Sequence, residues 1–259
     1  MIFYYSGCGN SRWLATELAT RLDDGLRFIP DLLRAGTDSY DIRHDESIGF
    51  VFPVYAWAAP KLVQDFVTSV QWNGHAAYVW FACTCGDEMG MTCRTFSKTL
   101  RKSGLVPDAA FCVQMPETYL CFPGFHLDSL ESESLKLENA ARKVNSIAAQ
   151  IAARAKAKVL IIGTFPLFKS YIIKPLFIRN VTDSKYHVND DCISCGICAS
   201  VCPLHNIKMT DDKPSWQGNC TQCMACYQYC PRNAIHFATY TKNKGQYHFP
   251  DSNKTERHS

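Results

Sequence analysis

The sequence predicts an α/β chain, a doubly wound parallel sheet followed by a small metal-binding module. Three observations carry this. Short apolar runs alternate with amphipathic stretches over residues 1–115, the pattern of βαβ units. Ser47–Val54 is almost continuously apolar, as parallel strands buried on both faces are. Eight of the 14 cysteines lie between Cys192 and Cys230.

Taken in order, Ile2–Tyr5 reads as the first strand. Ser11–Leu22 is a helix, with Trp13, Leu14, Leu18, Ala19 and Leu22 at helical spacing. Leu26–Ile29, Ser47–Val54, Ala76–Cys83 and Ala109–Met115 read as four more strands. Pro60–Val70 is a helix opening on proline, and Thr92–Ser103 is one closing at Gly104. Glu131–Lys158 is a long helix with Leu137, Ala141, Val144, Ile147 and Ile151 inward. The expected division is a sheet domain over 1–158, an apolar connector over 159–182, a cysteine module over 183–240 and a loose polar tail over 241–259.

Composition narrows the function classes. The 259 residues allow one large domain or two modest ones. A formal charge of +3 with no Lys/Arg block argues against nucleic acid as the main ligand. The N-terminus lacks the basic and small-residue features of a signal peptide. The most apolar stretch, Val159–Ile178, is broken by Gly163, Pro166, Lys169, Lys174 and Pro175, so no membrane span is expected. It reads as a packed connector, with a membrane-surface or partner-docking segment as the alternative. The expected location is cytoplasmic, where thiols stay reduced and cysteine clusters signal metal.

The cysteine region is a repeat of period 28. Cys192-x2-Cys195-x2-Cys198-x3-Cys202-Pro203 recurs as Cys220-x2-Cys223-x2-Cys226-x3-Cys230-Pro231. Ile207 with Ile235 and Met209 with Phe237 keep the same register. Three thiolates at this spacing wrap one cluster, and the fourth, before proline, reaches the other. One [4Fe–4S] cluster would take Cys192, Cys195, Cys198 and Cys230; the second would take Cys220, Cys223, Cys226 and Cys202. Zinc sites also use C-x2-C but need no third and fourth cysteine followed by proline. Residues 184–238 resemble bacterial two-[4Fe–4S] ferredoxins. Their charge differs: residues 183–259 hold eight Lys/Arg and seven Asp/Glu, where free ferredoxins tend to be acidic.

Between the first strand and first helix lies Ser6-Gly7-Cys8-Gly9-Asn10-Ser11. Its hydroxyls and freed N–H groups can cage a phosphate at a helix N-terminus. A dinucleotide fingerprint begins similarly, but Arg12 stands where its third glycine belongs. A plain strand–helix turn is the simplest alternative. Two further loops, Pro53–Pro60 and Thr84–Gly90, are expected on the same sheet edge. Tyr55 and Trp57 offer aromatic faces there, and also fit core or interface positions. Together the loops resemble flavodoxin over residues 1 to about 155. The resemblance implies a five-stranded sheet of order 2-1-3-4-5. It also implies FMN, with Ser6, Gly7, Cys8, Gly9, Asn10 and Ser11 on phosphate. Pro53, Val54, Tyr55, Ala56 and Trp57, with Thr84, Cys85, Gly86, Asp87 and Gly90, would flank the ring. Flavodoxins usually carry Thr where Cys8 sits.

Asp87 and Glu88 read as solvated loop acids, and Cys83, Cys93, Cys112 and Cys121 as small buried hydrophobes. Cys8 and Cys85 are either inert or reactive. His205 and His236 suit packing or the surface. The aromatics of residues 116–125 either line a route between cofactors or close the core.

The chain as a whole resembles the flavodoxin–ferredoxin fusion proteins of anaerobic bacteria and archaea. That implies electron transfer between two clusters and FMN, serving a redox partner protein or a small-molecule acceptor. A flavin-dependent reductase is the enzymatic alternative, with Tyr55, Tyr119, Glu117 and His126 as candidate proton donors. A cluster-based redox sensor is a third. No complete NAD(P)H site is evident.

Overall fold

The computed structural model describes residues 1–249. In chain order the elements are β1 (Ile2–Tyr4), α1 (Asn10–Leu22), β2 (Leu26–Phe28), α2 (Ile29–Arg34), β3 (Ser39–Asp41), β4 (Ser47–Pro53), α3 (Lys61–Ser69), β5 (Gln71–Asn73), β6 (Tyr78–Cys85), α4 (Thr92–Lys102), β7 (Ala109–Gln114), α5 (Leu130–Ala152) and β8 (Lys158–Val159). A helical stretch follows as α6 (Pro166–Phe168), a π turn (Lys169–Ile173) and α7 (Lys174–Arg179). The rest are β9 (Tyr186–Val188), α8 (Ile197–Ser200), β10 (Ile207–Thr210), β11 (Lys213–Trp216), α9 (Ala225–Gln228) and β12 (Ile235–Phe237).

The main sheet has six strands in the order β2-β1-β4-β6-β7-β8, and every pairing is parallel. Its first five positions are the expected 2-1-3-4-5. The sixth strand, β8, begins at Lys158, where the long helix was expected to end; α5 ends earlier, at Ala152. β3 and β5 form a separate parallel pair.

Strand residues alternate between two cores, as the period of two requires. Phe3, Phe50, Phe52, Phe81 and Cys83 pack with Phe66 of α3 and Phe96 of α4. Ile2, Val51, Trp80, Ala82 and Phe111 pack with Leu14 of α1 and Val144 of α5. Helices therefore cover both faces. On α5, Ala140 rather than Ala141 is buried.

In the cysteine module β9 pairs with β12 and β10 with β11, both antiparallel. The strand before each cysteine loop thus pairs with the strand after the other. Positive φ recurs at the repeat spacing, at Ser194 and Gln222, Gly196 and Met224, His205 and Asn233. Ile207 and Ile235 are both buried, but Met209 is exposed where Phe237 is buried.

The module shares a core with the sheet domain. Cys8, Leu120 and Cys121 pack with Met224, Tyr227 and Tyr186. Residues 241–249, expected as part of a loose tail, form a strap. The Phe249 N–H donates to Cys8 O, and the Phe249 ring stacks on Trp13 at 5.4 Å. The Tyr247 hydroxyl donates to Asn10 Oδ1 at 2.9 Å, and Gln246 Nε2 donates to the carbonyls of Tyr227 and Cys230. Residues 250–259 of the expected tail lie outside the described residues. Among the described residues no helix is long and apolar enough to cross a membrane.

Candidate cofactor site

A cavity of about 1080 Å³ opens at the sheet edge that follows β1, β4 and β6. Fourteen of the sixteen residues expected to hold flavin line it: Ser6, Gly7, Cys8, Asn10, Ser11, Pro53, Val54, Tyr55, Ala56, Trp57, Thr84, Cys85, Gly86 and Asp87. Gly9 and Gly90 do not. Gly9 takes a left-handed φ of 97° before α1, and a Cβ there would strike Phe249. Gly90 packs under Trp57 and Ser170.

The loops are tied together. Ser11 Oγ and Thr84 Oγ1 share a 2.7 Å hydrogen bond, both residues buried. Ser6 Oγ accepts from the Gly9 N–H at 3.2 Å. In the second loop Ala56 and Trp57 both have positive φ, and Tyr55 and Ala58 exchange backbone hydrogen bonds. This is the signature of a tight primed turn, built here without glycine. Such strained turns cluster at functional sites. Tyr55 meets Tyr5 edge-on at 6.0 Å.

Glu88, expected to be solvated, is a clamp. Its carboxylate accepts from Trp57 Nε1 at 3.0 Å, the Thr164 N–H at 3.0 Å and Lys169 Nζ at 2.6 Å. It thereby binds both ring loops to the connector. Lys136 Nζ donates to Gly86 O at 2.8 Å and pairs with Asp128. Glu117 lies against Gly86 and accepts from the N–H groups of Thr118 and Tyr119. Burial raises its pKa above the usual carboxylate value. Of the candidate proton donors, Tyr55, Glu117 and Tyr119 line the cavity; His126 is exposed and does not.

The two unassigned cysteines have partners. Cys85 Sγ lies 3.4 Å from Cys112 Sγ in the core, and that contact, with burial, pushes the Cys85 thiol up. Cys8 Sγ donates to Cys223 O at 3.1 Å, and burial raises its pKa as well. His205 is a surface partner of Arg34, and His236 packs against His187.

Cys220, Thr221, Gln222 and Cys223 line the same cavity. Tyr5 OH shares a 3.1 Å hydrogen bond with Thr221 Oγ1, and Tyr119 OH donates to Gln222 Oε1 at 3.1 Å. A Cβ on Gly7 would lie 2.7 Å from Cys223 Cβ. Gly7 therefore lets the first loop approach the cysteine loop backbone to backbone. Phe177 of the connector closes the side, stacking on Phe122 at 4.9 Å and meeting Trp57 edge-on. Sequence reasoning missed Thr221, Glu88 and Phe177. Their partners lie far along the chain, and no local signal marks them.

The eight remaining cysteines fall into two groups. Burial pushes the Cys198 thiol up to about 11, with repulsion from Cys230, Cys195 and Cys192 adding to it. Burial likewise raises Cys226, with repulsion from Cys223, Cys220 and Cys202. Backbone N–H groups point at three sulfurs: Asn206 to Cys202 at 3.3 Å, Ala234 to Cys230 at 3.3 Å and Gln222 to Cys220 at 3.2 Å. Mutually repelling thiols with N–H donors on their sulfurs fit a cationic iron–sulfur core, which draws thiols to thiolates and is tuned by such bonds.

Residues 182–235 match the family model described as a 4Fe-4S dicluster domain. No curated protein matches the chain. Among solved structures, the chain is similar to the Streptococcus pneumonia TIGR4 flavodoxin. That match has 14% identity and a TM-score of 0.33, covering 57% of this chain and 97% of that one. It is also similar to an FMN-dependent NADH-azoreductase from Bacillus anthracis str. Ames Ancestor. Here identity is 8% and the TM-score 0.35, covering 58% of this chain and 98% of that one. At these TM-scores the likenesses carry no weight of their own, and the fold is read from strand order and register. A flavodoxin-like parallel sheet joined to a 4Fe-4S dicluster domain makes this chain like the flavodoxin–ferredoxin fusion proteins.

Proposed function

We propose that the chain is an electron-transfer flavoprotein. Two [4Fe–4S] clusters, one on Cys192, Cys195, Cys198 and Cys230 and one on Cys220, Cys223, Cys226 and Cys202, exchange electrons with a bound FMN. One observation carries the reading: a single cavity is lined both by the loops expected to hold flavin and by Cys220–Cys223. The cofactors supply the redox chemistry, the clusters one electron at a time and the flavin up to two.

The chain's own residues position and shield. The first loop and the α1 N-terminus offer donors for phosphate. Trp57, held by Glu88, and Tyr55, held against Tyr5, offer walls for a flat ring. Gly7 and Cys8 hold the second cysteine loop against the first loop. Fusion with a shared core fixes the two modules, so no diffusional encounter is needed.

A second reading, a flavin-dependent reductase, has one observation in its favour. At about 1080 Å³ the cavity slightly exceeds the usual ~300–1,000 Å³ of ligand pockets, and the partly buried acid Glu117 lines it with Tyr119. Anaerobic purification with iron, sulfide and flavin assays tests the primary reading. About eight irons and one FMN per chain are expected; tightly bound zinc without sulfide would overturn the cluster assignment.

A further inference from the structure

The connector helix is apolar on the side that faces away from the protein. Its inner side is anchored: Ser170 is buried and its Oγ accepts from the Met91 N–H at 3.0 Å, Lys169 pairs with Glu88, and Phe177 packs on Phe122. Pro175 is accommodated because the Lys174 N–H bonds to Lys169 O, five residues back, in the π turn. The outer side carries Phe165, Leu167, Phe168, Ile172 and Leu176, which are 56–77% exposed. A helix apolar on every side is normally covered by something. The anchors prevent it from rolling this face inward.

Charge selects the cover. Residues 159–182 contain no Asp or Glu. Lys169 is taken by Glu88 and Lys174 lines the cofactor cavity, so the charge left for a partner, at Arg179, is positive. A protein interface of standard size needs about one hydrogen bond per 100–200 Å². This face offers little beyond Tyr171 and Arg179 for that purpose. A lipid surface needs none. Residues 166–179 span about 21 Å as a helix, short of the ~30 Å bilayer core, so the helix can lie on a bilayer and not cross it.

We propose that this face seats the protein on an anionic lipid surface. The helix axis lies in the membrane plane, its apolar side chains enter the headgroup–acyl boundary, and Arg179 meets the headgroups. The inference is independent of the flavin reading.

Vesicle flotation of the full-length, anaerobically prepared protein tests it, comparing pure phosphatidylcholine with phosphatidylcholine containing phosphatidylglycerol. Binding to the phosphatidylglycerol vesicles, weakened by salt, is expected. Ile172→Ser with Leu176→Ser should weaken it at least about tenfold, and Arg179→Gln about fivefold. Both changes are on exposed side chains, and unchanged iron content and thermal midpoint verify folding. Absence of flotation, or undiminished binding by the double variant, overturns the proposal. So does a solution dimer that the same substitutions dissociate, since a second copy would then be the cover.

Discussion

Gly7→Ala probes the contact between the two modules. The Gly7 φ is not left-handed, so alanine brings no backbone strain, and the whole effect comes from one added methyl. That methyl would lie 2.7 Å from Cys223 Cβ, 3.0 Å from Cys223 O and 3.3 Å from Cys223 Sγ. The atoms it meets belong to a cysteine loop that cannot yield freely, because Cys8 and Tyr5 also hold it. Overpacking of this kind costs about 1–3 kcal/mol. For a chain of this size that is a fall of roughly 2–12 °C in the thermal midpoint. The first loop must move off the cysteine loop, so FMN affinity should fall together with the midpoint. Iron content should stay at its wild-type value. Differential scanning calorimetry and flavin titration under argon read both quantities. Wild-type stability and wild-type flavin affinity in Gly7→Ala would refute the claim that the modules meet backbone to backbone at this point.

Three further outcomes follow. Glu88→Ala leaves Trp57 Nε1, the Thr164 N–H and Lys169 without their shared acceptor; it should cost about 2–3 kcal/mol and speed tryptic cleavage at Lys169. Glu117 binds its proton more tightly folded than unfolded, because burial raises its pKa above 4.5. Its contribution to stability is complete below about that pH and is lost as pH rises through the raised value. The difference in thermal midpoint between wild type and Glu117→Gln should therefore shift against wild type as pH rises, and a pH-independent difference would contradict the assignment. Cys202→Ala and Cys220→Ala should abolish the same cluster signal in electron paramagnetic resonance, while Cys230→Ala and Cys192→Ala abolish the other. A pattern in which Cys202 tracks with Cys192 would mean that the ligand sets are not crossed.

What was legible in the sequence was periodic. Strands with two-sided apolar runs, such as Ser47–Pro53, and helices with a clear stripe announce themselves locally. The 28-residue repeat fixes both cysteine loops, down to the paired positive φ at Gly196 and Met224. What stayed hidden depends on distant partners. β8 is two residues long and is a strand only because β7 lies beside it. Glu88 looks like any loop acid until the connector brings Lys169 and Thr164 to it. Residues 241–249 are polar and carry no pattern, yet Tyr247 and Phe249 find Asn10 and Trp13 more than 230 positions away. Gly7 suggested a phosphate turn, and its second role needs Cys223 in place.

The central claim is that flavin and clusters exchange electrons within one chain. Rapid mixing of the fully loaded protein with a one-electron reductant tests it most directly, following cluster and flavin absorbance across a range of protein concentrations. Electrons should pass between clusters and flavin at a rate independent of protein concentration. A rate proportional to concentration, or clusters that reduce while FMN stays free in solution, would contradict it.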